Sequence, residues 1–242
     1  MPNLVEEVPI AITINDIHYA VMLSSPHDLD DFAFGYLLSE GVITQCNQVH
    51  DVTQNRLNQG INLNVIIANR RQYLLQQQQR TIKGTSGCGL CGKQAMELAF
   101  PELQRLPDAS HLSMHQIHSL RPALSHWQMR ARESGALHAA FWIDTAGEIC
   151  GCREDIGRHN AVDKIIGYAL REGWDATGAT LIVTSRCSVE IVQKAIVAGI
   201  STLCSLASPT QMAVEYAHRY NLNLVHIPKT DGPYQLSVGV RR

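Results

Sequence analysis

From Leu137 onward the sequence switches repeatedly between two hydrophobic periods, and this alternation constrains the fold more than any other feature. Short β-type runs at 138–143, 148–153, 180–184, 202–206 and 223–227 are interleaved with helical patterns at 160–170, 189–198 and 210–220. Strands that alternate with helices of this length predict an α/β sheet, partly parallel, with helices packed on it. Ligands of such sheets sit beyond the carboxyl ends of the strands, where loops lead into helices. The stretches at 153–159, 185–188 and 205–210 occupy that kind of position.

The first part of the chain reads differently. Apolar alternation at 8–14 and 17–23 around Asn15-Asp16 signals a hairpin. Ser25-Pro26 reads as a helix start, with Asp28, Asp30 and Asp31 favouring its N-terminus and Gly41 its stop. Two further strands are expected at 49–53 and 61–68, and helical segments at 93–100 and 114–132, with Pro122 able to kink or divide the second. The fold class is therefore α/β (α+β): a smaller, β-rich N-terminal part over 1–80, a cysteine loop and helical connection over 81–136, and a larger α/β core over 137–242. The N-terminal part is able to pack into one body with that core.

Composition excludes several classes. A hydrophobic content of 45% supports a buried core, and a formal net charge of -2 gives no basis for broad nucleic-acid binding. No apolar run approaches the ~20 residues that span a bilayer, and Met1 to Glu7 lacks the pattern of a signal peptide, so a cytoplasmic protein with no membrane contact is expected. The seven cysteines are odd in number and scattered, which is no disulfide framework.

Two of them, Cys88 and Cys91, sit in Gly87-Cys88-Gly89-Leu90-Cys91-Gly92-Lys93, with four glycines between Gly84 and Gly92. A Cys-x-x-Cys of this kind can be a redox dithiol, half of a zinc site or a sulfur-handling nucleophile pair. Glycine opens the sulfurs to approach from several directions, and a helix start with a lysine favours thiolate over thiol. Tetrahedral zinc needs a second ligand pair. The sequence offers Cys150 and Cys152, and their spacing, which places both on one face of a strand, is not that of a zinc knuckle. No metal site is assigned. The glutamine run at 76–79 reads as an exposed lead-in.

The second charged constellation is Arg153-Glu154-Asp155-Ile156-Gly157-Arg158-His159-Asn160-Ala161-Val162-Asp163-Lys164. It lies at a strand-to-helix junction, with His159 or Asn160 as the expected cap. Arg158 and His159 at an open helix start suit a phosphate or pyrophosphate. Ser185 and Arg186 repeat that logic after the next strand, while Cys187 reads as a packing residue and Ser208-Pro209-Thr210 as an ordinary helix start. His138 and His18 are assigned no role.

Taken together, these residues resemble the FdhD family, accessory proteins of formate dehydrogenase that carry sulfur. The resemblance runs from Glu6-Glu7-Val8-Pro9 through Phe34-Gly35-Tyr36-Leu37-Leu38-Ser39-Glu40-Gly41 and the cysteine loop to the charged stretch ending at Lys164, and on to Ser185-Arg186 and Val192-Gln193-Lys194-Ala195. It implies a homodimer whose larger part is a cytidine deaminase-like α/β sandwich. It also implies a sulfurtransferase-type carrier that accepts sulfur from a cysteine desulfurase as a persulfide on Cys88, with Cys91 as partner. The sulfur would pass to the molybdenum bis(molybdopterin guanine dinucleotide) cofactor before its insertion into formate dehydrogenase, with a guanine nucleotide such as GDP as a mimic of the cofactor. The segment after the last core strand, Ile227, Pro228, Lys229, Thr230, Asp231 and Gly232, aligns with a stretch that contacts the cofactor in the family. A different reading is a guanine-nucleotide or cofactor-binding chaperone that does not use its cysteines chemically.

Overall fold

The N-terminal hairpin pairs β1 (Val8–Ile14) with β2 (Ile17–Ser24) around Asn15 and Asp16, both at positive φ (48° and 65°), as a tight turn between twisted strands requires. The computed structural model describes residues 4–68, 70–71 and 100–236. β3 (Val49–Leu57) and β4 (Gly60–Ile67) form a second antiparallel pair, and β4 adds to β1 in parallel, giving the order β2-β1-β4-β3. Alternation along β1 and β4 buries Ile10, Ile12 and Leu63, Val65 on one face. That face receives α1 (Leu29–Ser39) through Phe32, Ala33 and Leu37.

α1 begins three or four residues later than the expected start at Ser25-Pro26. Ser25 is unavailable as a cap: its N–H donates to Asp155 and its hydroxyl accepts from the Ile156 N–H. Asp28 takes the cap position instead, in the left-handed region (φ 55°) and without a side-chain cap bond.

On the other side of the chain, α2 (Met114–Trp127) opens with a reciprocal capping box between Ser113 and Gln116. Pro122 lies inside this helix, and the break comes at Gln128, before the short α3 (Ala131–Ser134). The main sheet comprises β5 (His138–Ile143), β6 (Ile149–Asp155), β7 (Thr180–Arg186), β8 (Thr202–Ala207), β9 (Asn223–His226) and a two-residue β10 (Tyr234–Gln235). Its order is β10-β9-β8-β7-β5-β6. One face carries α4 (Arg158–Glu172), α5 (Val189–Val197) and α6 (Gln211–Arg219). The opposite face packs Phe141, Ile182, Cys204 and Val225 on Ile117, Leu120 and Leu124 of α2.

α4 is buried on two sides, by the main sheet and by α1. Where the two helices cross, a Cβ on Gly35 would lie 1.7 Å from the Asp163 carbonyl oxygen, and one on Gly167 would lie 1.8 Å from that of Asp31. Glycine at both positions lets backbone meet backbone, so one continuous core runs from β1 and β4 through α1 and α4 into β5, β7 and β8. The α/β (α+β) class and the smaller β-rich N-terminal sheet agree with the sequence reading.

A β-bulge alters one expectation. Trp142 pairs with Gly151 but Ile143 with Ile149, which leaves Cys150 as the extra residue. Cys150 consequently packs toward the α4 face and Cys152 toward α2, so the two do not share a face.

Candidate functional site

β5 runs antiparallel to both β6 and β7, and β8 and β9 run parallel to β7. The carboxyl ends of β6, β7, β8 and β9 therefore open onto one rim. That rim gathers the β6–α4 junction with Arg158, the β7–α5 turn with Ser185 and Arg186, the β8–α6 turn, and the segment after β9. The expected anion-binding residues, separated by up to 74 positions in sequence, are brought to one end of one sheet by strand direction alone.

The β6–α4 junction is held from inside. Asp155 is fully buried and its Oδ1 accepts from the Gly157 N–H at 2.7 Å and from Asn160 at 3.0 Å. Oδ2 accepts from the Ser24 hydroxyl at 2.7 Å, the Ser25 N–H at 3.0 Å and Lys164 Nζ at 2.5 Å. Burial pushes the Lys164 ammonium down from its ordinary range, and the Asp155 charge opposes that. Helix α4 starts at Arg158 with Gly157 as its cap residue, so neither His159 nor Asn160 caps it. Asn160 instead donates to Asp155 and to the Leu23 carbonyl at 2.7 Å.

Most of the charged stretch is interior structure. Arg153 and Arg171 both bind Asp31, and Arg153 lies 3.7 Å from the Tyr168 ring centre. Glu154 caps α3 by accepting from the Arg130 and Ala131 N–H groups, each at 2.8 Å. Asp163 accepts from Lys194 at 2.8 Å and from Ser39 at 2.7 Å.

Arg158 and His159, which the sequence groups in one cradle, face different places. Arg158 is half-buried, with its Nε shielded and without a hydrogen-bond partner among the described residues. Its charge acts on His138 at the start of β5. His159 donates from Nε2 to Glu190 at 2.8 Å and lines an open cleft of about 340 Å³ with Tyr36, Glu40, Asp163 and Lys194. Ser188 Oγ lies 3.5 Å from the same nitrogen, so the three do not form a relay, which would use both ring nitrogens. Burial, then the neighbouring Arg158 charge, pushes both His138 and His159 down, which makes each neutral near pH 7.

Ser185 is buried and its hydroxyl donates to the Arg186 carbonyl at 3.1 Å, while Arg186 is exposed. Thr210 is an ordinary helix cap, accepting from the Ala213 N–H at 3.2 Å, and its own N–H ties the turn to the Cys187 carbonyl at 3.0 Å. Ile227 belongs to the core under α2, and Arg121 donates to the carbonyls of Ile227 and Pro228. Its side chain is thus closed to any ligand. Lys229, Thr230, Asp231 and Gly232 are exposed at the rim before the chain returns as β10, where Tyr234 meets the His226 ring edge to face.

Among the other cysteines, burial pushes Cys187 and Cys152 up to about 12 and Cys204 higher still, so these thiols are inert at neutral pH. Cys88 and Cys91 lie outside the described residues, as do the glutamine run and the helical pattern from Lys93. His138 is the rim residue that sequence reasoning passed over. A histidine opening a strand beside an arginine-bearing helix start is a signal visible only once β5 is known to lie between β6 and β7.

Comparison with known proteins agrees with this architecture. A model of the FdhD/NarQ family matches residues 5–235. A protein of Cupriavidus necator named sulfur carrier protein FdhD is 37% identical over 227 residues, covering 92% of this chain and 77% of its own. The protein of the same name from Xanthomonas euvesicatoria is 35% identical, with 97% of this chain and 85% of its own covered. In fold, the chain is similar to a crystal structure from Desulfotalea psychrophila, provisionally assigned as a formate dehydrogenase accessory protein. The TM-score is 0.75 at 22% identity, with 98% of this chain and 90% of that one covered. The family match spans the small sheet, the cysteine loop, the β6–α4 junction and the rim turns without interruption, and the chain belongs to the FdhD/NarQ family.

Proposed function

We propose that this chain is a sulfur carrier that serves the maturation of formate dehydrogenase. The observation that supports this most strongly is 35–37% identity over at least nine-tenths of the chain to proteins named sulfur carrier protein FdhD. In the proposed reaction, the Cys88 thiolate attacks the outer sulfur of a persulfide on a cysteine desulfurase. The donor S–S bond breaks, the desulfurase cysteine leaves as thiolate, and Cys88 retains the extra sulfur as its own persulfide. Attack by Cys91 on the Cys88 sulfur then forms a disulfide and releases hydrosulfide, whereas direct attack by an acceptor returns Cys88 as thiolate. The sulfur's destination is the molybdenum bis(molybdopterin guanine dinucleotide) cofactor as substrate, carried by a homodimer in the cytoplasm.

The rim fits the cofactor's pyrophosphates: Arg158, Arg186 and Lys229 supply cations, and the α4 start supplies N–H groups. A guanine nucleotide such as GDP would occupy the same place. Incubation with a cysteine desulfurase and cysteine, followed by intact-mass spectrometry, tests the sulfur step. The parent chain gains one sulfur and Cys88→Ala gains none. Nucleotide binding and full client activation that survive loss of both Cys88 and Cys91 would establish a chaperone without cysteine chemistry instead.

A further inference from the structure

Strand β2 is the outermost strand of the small sheet, and no strand pairs with its far side among the described residues. The direction of its free backbone groups follows from β1. Pro9 has no N–H to give and its carbonyl lies against Gly60 of β4, so the ladder to β2 runs through Ile10 and Ile12. Their partners, Met22 and Ala20, turn inward to β1. Val21 and Leu23 therefore turn their backbone groups outward, and the Leu23 carbonyl indeed accepts from the Asn160 side chain at 2.7 Å. That contact ends the free edge, which leaves the Val21 N–H and carbonyl open. The Val21 and Leu23 side chains, on the face away from α1, are 58% and 55% exposed.

The same edge borders the cleft that holds His159. Met22 of β2 lines this space of about 340 Å³, where the carboxylates of Glu40, Asp163 and Glu190 stand against one ammonium, that of Lys194. Lys194 is committed to Asp163, at 2.8 and 2.9 Å from its two oxygens, and Glu190 accepts from His159. Glu40, just past the end of α1, makes no side-chain hydrogen bond or ion pair among the described residues. The Tyr36 ring already lies 5.9 Å from the Lys194 ammonium, so the cleft combines surplus negative charge with an aromatic ring near a cation.

We propose that the β2 edge receives an extended segment of a partner protein, with a lysine or arginine side chain entering the cleft and apolar neighbours covering Val21 and Leu23. Edge and cleft together dictate that pattern. A strand bonded to the Val21 backbone places the residue opposite Met22 on the cleft side, and its two neighbours on the outer side. Charge complementarity selects the basic side chain, because an acidic one would meet three carboxylates. The main-chain bonds hold the segment and the alternate side chains choose it. Neither the rim nor the cysteines take part, so this surface is tested separately from sulfur transfer.

The probe is a capped seven-residue peptide of alternating valine and lysine, compared with its glutamate counterpart on the full chain. Fluorescence anisotropy should show the lysine peptide binding about tenfold or more tighter than the glutamate peptide. Glu40→Gln should weaken the lysine peptide by about twofold to fivefold, the worth of one partly screened ion pair. Val21→Pro removes an outward N–H without touching the ladder to β1, so the urea midpoint should hold while peptide affinity falls about tenfold or more. In the parent chain, saturation with the lysine peptide should slow hydrogen exchange at the Val21 N–H, which needs no variant.

Failure of the lysine peptide to bind at millimolar concentration would overturn the inference. Equal binding of the two peptides would overturn it as well, as would binding that survives Val21→Pro or leaves Val21 exchange unchanged. Self-association of the chain that Val21→Pro abolishes, with no peptide bound, would assign the edge to a second copy instead and refute the partner segment.

Discussion

Asp155 accepts five hydrogen bonds in a region closed to solvent, from donors on β2, the β2–α1 turn, the α4 start and Lys164. Lys164 and Asp155 are each 0% exposed. Removing one partner leaves the other buried and uncompensated, so Asp155→Ala should cost about 3–5 kcal/mol in urea denaturation. Asp155→Leu combined with Lys164→Met should cost less than the sum of the two single changes, because the pair is coupled; additive costs would show that the two act independently. The sequence placed these charges at a helix start and read the stretch as a cradle. It could not show that Ser24 lies within hydrogen-bond reach of Asp155 across 131 positions, which converts most of the stretch from surface to interior. Arg158 and His159 were legible as lying at a helix start. Their separation into a rim residue and a cleft residue depends on helix rotation, which adjacent residues in a sequence do not reveal.

At the scale of elements, periodicity located β5 with the same bounds and most others within about two residues, because alternation and helical spacing reflect which face is buried. The misplaced features have specific causes. Ser25 is consumed by a tertiary bond, so α1 starts late. The bulge at Cys150 shifts one side chain to the other face. β10 has only two residues, too few for any period. The crossing of α1 on α4 was also hidden, since nothing in the sequence sets Gly35 and Gly167 apart as points of close backbone approach. Alanine in an exposed helix gains up to ~1 kcal/mol over glycine. Here the added methyl meets a carbonyl at under 2 Å, and separating two packed backbones outweighs that gain. Gly167→Ala should destabilise the chain by about 1–3 kcal/mol or more. A stabilised variant in the same denaturation experiment would contradict the close crossing.

The whole molecule joins a small mixed sheet and a larger one through two helices in backbone contact, and presents a single rim at the carboxyl ends of β6 to β9. The parallel pairing of β1 with β4 that closes the small sheet is a long-range contact with no local signature. The rim, in contrast, followed from strand–helix alternation, because parallel strands place their loops at one end. In the proposed reaction this body would hold the acceptor while Cys88 supplies the sulfur. The most direct test follows the atom itself: radiolabelled sulfur from cysteine is passed by a cysteine desulfurase to the chain, and its appearance in formate dehydrogenase is measured. The label should move through the parent chain into the enzyme, and Cys88→Ala should block it at the desulfurase. Equal labelling of formate dehydrogenase with Cys88→Ala would contradict the account.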